Sequence, residues 1–179
     1  LPSRRQAHGK EDPMGKFTVT HEIHCNKETF WKVFFDQQFN LELYKTHLRF
    51  PEFRIIEQQD TATEIIRKAA GTPKMDVPGP IAKLLGSNFS YQEDGKFNKA
   101  TGIWQWRMQP STLADKMRNE GVMRIEAIGD GSVRRIADIT IEAKIFGVGG
   151  LIESTAEKQL REGWAQSATF MNDWIKKHP

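Results

Sequence analysis

The sequence predicts an α+β fold in which one long C-terminal helix lies across an antiparallel sheet of seven strands. Residues 150–177 place apolar side chains at three- and four-residue steps, the mark of an amphipathic helix. Ahead of it lie seven segments that read as strands, several with clean two-residue alternation and turn residues between them. At 179 residues the chain fits one domain, so the helical stripe and the apolar faces of the strands must cover each other.

The elements follow in order. In the first strand Phe17, Val19, His21, Ile23 and Cys25 alternate with Thr18, Thr20, Glu22 and His24. Asn26 stands where a helix N-cap is needed, ahead of Glu28 and Thr29. Residues 28–44 then carry Phe30, Trp31, Phe34, Phe35, Leu41 and Tyr44 at helical spacings, and the polar Gln37–Asn40 is expected to split them into two short helices. Two strands, 52–59 and 63–70, form a hairpin around Asp60–Ala62. Residues 71–87 are punctuated by Gly71, Pro73, Pro78, Gly79, Pro80 and Gly86, which predicts a loop carrying a short helix at Ile81–Leu85. Four further strands are expected near 88–97, 102–109, 120–129 and 132–146, with Gly129–Asp130–Gly131 as a tight turn and Pro110–Asn119 as a polar connection. The final helix carries Ile152, Ala156, Leu160, Trp164, Ala168, Met171 and Ile175 on one stripe, extended by Trp174.

Composition narrows the function classes. Eleven Phe, five Trp and six Met supply enough large side chains for a core or a lined cavity. The formal charge is +3, yet residues 1–16 hold four basic and two acidic groups, which leaves 22 basic against 21 acidic groups in the body. A near-neutral body without a basic stripe argues against nucleic acid as a partner. Leu1–Pro13 lacks periodicity and the apolar core of a signal peptide. It reads as an added or disordered leader before a natural start at Met14–Gly15, with a basic targeting arm as the alternative, and the folded domain is expected over 17–179. The single cysteine excludes an internal disulfide framework and makes a reducing, cytoplasmic setting the expectation.

Motifs for covalent or metal chemistry are missing. There is no GxSxG, no HExxH and no Cys/His cluster, and Gly147–Gly150 lacks the Lys and Ser/Thr of a phosphate loop. No metal or cofactor is expected, and catalysis is the less favoured reading. Cys25 reads as a small buried residue, and Gly147–Gly150 as a hinge before the helix. Alternation turns His21 inward, either as a core histidine bonded to a neighbouring carbonyl or as a donor to a ligand. His24, three residues on, faces the other way, which argues against a histidine pair on a metal. Glu93 alternates with Tyr91 and Phe89, whereas Ile65–Ile66 leaves the facing of Arg67 ambiguous. A Glu93–Arg67 pair is one arrangement, but surface placement of at least one of the two is the expectation.

Three stretches carry a resemblance: Phe17–Cys25 running into Asn26–Trp31, the Val77–Pro80 loop with Ile81–Leu85, and Phe146–Glu153 leading into the last helix. Together with the element order they resemble the helix-grip fold of the START-like superfamily, which includes lipid carriers, polyketide cyclases and the birch-pollen allergen group. They look closest to an uncharacterised bacterial START-like family. The resemblance covers about residues 17–177 and implies an internal cavity for an apolar ligand, walled on one side by the terminal helix.

The residues expected to line that cavity are His21 and Ile23 on the first strand, then Tyr91 and Glu93, and then Trp104, Trp106 and Met108. Ile139, Ile141 and Ala143 follow on the last strand, and Leu160, Trp164 and Met171 on the helix. The function this implies is binding of a hydrophobic small molecule or lipid, as carrier or sensor, with transient membrane contact through Ile81, Leu84 and Leu85. The alternatives are a cyclase/aromatase-type enzyme, which needs titratable groups converging on the cavity, and a protein-interaction module whose Trp104, Trp106, Trp164 and Trp174 interlock without a void.

Overall fold

A computed structural model describes residues 15–179; the expectations for Leu1–Pro13 lie outside it. Seven strands, β1 (Lys16–Ile23), β2 (Glu52–Asp60), β3 (Glu64–Thr72), β4 (Tyr91–Asn98), β5 (Ile103–Pro110), β6 (Met117–Ile128) and β7 (Ser132–Ala143), form one antiparallel sheet. Its order is β1-β7-β6-β5-β4-β3-β2, so β2 to β7 meander and β1 closes onto β7. The sheet curves around α4 (Gly149–Lys177) without closing into a barrel, which is the helix-grip architecture. At 29 residues α4 is about 43 Å long. No helix among the described residues is long and apolar enough to cross a membrane.

Between β1 and β2 lie α1 (Lys27–Phe34), α2 (Gln37–Leu41) and a π-helical turn, Glu42–His47. Asn26 caps α1 as the sequence indicates, its Oδ1 accepting from Thr29 N at 2.8 Å. The break between the helices is not at Gln37–Asn40, which is helical. It falls at Phe35–Asp36, because Asp36 caps α2 by accepting from Phe39 N at 2.7 Å. Asn40 then staples the corner, donating to Phe34 O and Asp36 O at 2.9 and 2.7 Å.

The hairpins match the turn chemistry, with Gly129 at φ 61° ahead of β7. The connection from β5 to β6 is shorter than expected, since β6 already begins at Met117. Helix α3 (Gly79–Leu85) presses Ile81 and Leu85 against Ala143 and Ile152 in a cluster of its own. Both side chains are buried, so of the three residues expected to touch a membrane only Leu84 faces solvent. A short amphipathic helix can present only one of its faces, and the apolar one is used inside.

The main core lies between the concave sheet face and α4, closed at one end by α1 and α2. Helix α4 is clamped to β1 by polar ties. Asn172 accepts from His24 N at 2.8 Å and donates to Glu22 O at 3.2 Å, while Arg161 donates to Thr18 O at 3.2 Å and lies over the Phe17 ring. Its N-terminal part is held by Glu153 accepting from Ala143 N, by Gln159 donating to Asp76 O and by Ile152 in the cluster under α3.

Candidate functional site

The concave face is not wholly apolar. Alternation along β3 turns Ile65, Arg67 and Ala69 inward, and Arg67 ends up 5% exposed beneath the α1–α2 corner. There it donates to Phe34 O at 3.2 Å and approaches Asn40 Oδ1 at 3.5 Å, with its guanidinium over the rings of Phe34 and Trp104. Glu93, inward on β4 and also buried, meets it at 3.6 Å. The sequence favoured the surface for at least one of this pair, and the structure corrects that. Neither side chain can be left alone inside, because an unpaired buried charge costs several kcal/mol. Burial raises the Glu93 pKa, and the Arg67 charge acts against that rise.

Two tyrosines complete this group. Tyr44, on the π-helical turn, stacks on Phe53 with ring centroids 4.0 Å apart. Tyr91 lies over Gly71 of β3, where a Cβ would collide with its ring. Desolvation pushes the Tyr44 phenol up to about 12 and Tyr91 well above its ordinary value, so both stay protonated donors. Both are half-buried, as are Met108, Asn119, Leu160 and Trp164. Of these, Tyr44, Met108, Leu160 and Trp164 pack against the main core.

On the β7 side, Arg135 points inward between Val133 and Ala137 and is 3% exposed. It donates to Trp164 O at 2.7 Å and to Ser167 Oγ at 3.1 Å, and its guanidinium lies 4.7 Å from the Trp164 ring centroid. His21, its cross-strand neighbour on β1, brings Nδ1 to 3.3 Å. Burial and the Arg135 charge lower the His21 pKa, so the imidazole is neutral at pH 7 and Nδ1 accepts. Burial draws Arg135 down to about 9, which still leaves a cation at neutral pH.

The other lining residues expected from sequence divide into two kinds. Trp106 and Trp164 face each other at 5.6 Å, and Met108 accepts from Asn119 Nδ2. Ile23, Trp104, Ile139, Ile141 and Met171 are packed into the core, with Trp104 against Phe34 and Phe35. Ala143 belongs to the small cluster under α3. Sequence reasoning passed over Tyr44, Asn119 and Arg135. Arg135 was reachable, since the alternation of β7 extends to it, but beside Arg134 it looks like part of a solvated charge run. Cys25 is buried and its thiol is pushed up to about 11, which leaves it no nucleophilic character near neutral pH. An open depression of about 550 Å³ runs along Thr18, Gln105, Glu120 and Asp138, and Phe17, Trp106 and Ile139 also border it.

Comparison with known proteins agrees with this architecture. The model of a family described as a protein of unknown function (DUF2505) matches residues 18–175. No curated protein matches the chain in sequence. The fold is similar to that of TTHA0849 from Thermus thermophilus, with a TM-score of 0.65 and 14% identity over 91% of this chain and 98% of that one. It is similar to the Zhui aromatase/cyclase from Streptomyces sp. R1128, with a TM-score of 0.62 and 9% identity over 90% and 93%. A START superfamily protein from Mycobacterium smegmatis gives a TM-score of 0.56 and 14% identity over 92% and 99%. This superfamily of helix-grip proteins includes both ligand-binding carriers and cyclase/aromatase-type enzymes.

Proposed function

The chain belongs to the DUF2505 family, and we propose that it binds a hydrophobic small molecule or lipid between the concave face of its sheet and α4, as a carrier or sensor. The observation that carries this reading is the set of half-buried side chains on the sheet, the π-helical turn and α4, Tyr44, Tyr91, Met108, Asn119, Leu160 and Trp164. They supply an apolar wall with a few polar groups to fix orientation, the usual make-up of a small-molecule site. Burying about 300 Å² of ligand at roughly 25 cal/mol/Å² gives about 7 kcal/mol before ordering costs, enough for micromolar binding.

The four tryptophans share one continuous hydrophobic cluster but do not interlock as a single stack. Trp106 and Trp164 pair, but Trp104 sits with Phe34 and Phe35, and Trp174 sits with Phe39 and His178. The enzyme reading is kept by one specific observation: Glu93, Tyr44 and Tyr91 converge with Arg67, so groups able to move a proton and to stabilise negative charge share one region.

Titration of the purified protein with fatty acids, phospholipids, sterols and polycyclic aromatics, followed by tryptophan fluorescence, tests the proposal. Saturable one-to-one uptake of a member of one class is expected, because Trp106 and Trp164 flank the space. No response to any class would overturn it.

A further inference from the structure

Arg135 is a buried cation without a matching anion. Its protein contacts are all neutral: the Trp164 carbonyl, the Ser167 hydroxyl and the His21 imidazole. Among the described residues no carboxylate lies within ion-pair distance of it. Arg134, next in the chain but on the solvent side, has Glu126 at 3.8 Å. Arg67, the other buried guanidinium, has Glu93. The interior therefore holds two guanidinium charges and at most one carboxylate charge.

The hydrogen-bond count points the same way. A guanidinium has five N–H groups, and the three bonds of Arg135 leave two without an acceptor. The one on Nε is fully buried and unpartnered. A buried donor left unmade costs about 1–3 kcal/mol, more when it is charged. A carboxylate answers the charge deficit, because it is a monoanion with two acceptor oxygens suited to a guanidinium. The apolar surface beside Arg135 is the Trp164 ring, with Trp106 against it.

Resting on the binding reading above, we propose that the ligand is an amphiphile with a carboxylate headgroup, which Arg135 recognises. One uncompensated positive charge matches a monoanion. It does not match a neutral ester or alcohol, nor a dianionic phosphate.

The test compares acids with their own methyl esters, dodecanoate with methyl dodecanoate and 2-naphthoate with methyl 2-naphthoate, in the wild-type protein and in Arg135→Met, by calorimetry. In the wild type the acid of at least one pair is expected to bind about tenfold tighter or more, as a charge-assisted hydrogen bond requires. In Arg135→Met that ratio is expected to fall towards one. Equal binding of acid and ester by the wild type, or a preference that survives in Arg135→Met, overturns the carboxylate assignment and leaves the binding reading standing. If neither acid nor ester binds, the binding reading falls and this inference with it. Should Arg135→Met fail to fold, the wild-type ratio decides, and Arg135→Gln repeats the comparison with a neutral hydrogen-bonding side chain.

Discussion

Arg67, Glu93 and Arg135 are buried on the sheet side of the interior, and His21 beside them is half-buried. Arg67 and Glu93 answer each other, while Arg135 is held by neutral acceptors, one of which is His21 Nδ1. That arrangement works only while the imidazole is neutral, since a protonated ring would set a second cation against the guanidinium. A histidine whose folded pKa is depressed adds stability above its unfolded value, and that stability is lost as pH falls below it. We therefore expect urea-unfolding midpoints of the wild type to decline as pH drops below about 6.5, with a shallower decline in His21→Gln. Identical pH profiles for the two proteins would show that the imidazole is not coupled to Arg135. The inward facing of His21 was legible because β1 alternates without interruption. That of Arg67 was not, because Ile65 and Ile66 are both apolar and alternation alone cannot choose between the two registers. The pairing across β3 and β4 that brings Glu93 to Arg67 is a tertiary fact beyond either strand's pattern.

At the scale of strands, room for the two inward tryptophans of β5 comes from glycines on its neighbours. A Cβ at Gly95 of β4 would overlap the Trp104 ring, and one at Gly121 of β6 would overlap Trp106 and crowd the Asp138 carbonyl. Both glycines have ordinary backbone angles, so what they provide is space and not turn geometry. Gly121→Ala is expected to lower stability by about 1–3 kcal/mol through overpacking. Gly131→Ala, in the open β6–β7 turn with nothing near its Cβ, should be neutral or stabilising by less than about 1 kcal/mol. Chemical denaturation of both variants checks this, and equal effects would mean that Trp106 does not rest on Gly121. From sequence each of these glycines is only an interruption of a strand pattern, since the ring that covers it comes from the next strand. By contrast α4 was legible almost to the residue, because 29 residues of sustained stripe leave few alternatives. The corner between α1 and α2 was misplaced because Asp36 acts as a cap, a role that local hydrogen bonding decides over mean polarity.

At the scale of the whole molecule, element order alone was enough for the architecture: a strand, two short helices, six strands and a long helix admit few ways to cover the stripe of α4. The internal space was not legible in the residues themselves. It arises where the curved sheet and the straight helix diverge, and so depends on which side chains fill that divergence. The structure leaves Met108, Leu160 and Trp164 half-buried against the core. The N-terminal half of α4 is tied by Gln159 to Asp76 and by Glu153 to Ala143, after Gly147 at φ 81°. If the account is right, purified protein should carry or accept one apolar molecule per chain. Native mass spectrometry, followed by solvent extraction and identification of what is released, measures this directly. The account predicts an adduct of one ligand mass that persists at low activation energy and is lost on unfolding. An apo mass that stays unchanged after incubation with fatty acids, phospholipids, sterols and polycyclic aromatics would contradict it and leave the interior as a packed core.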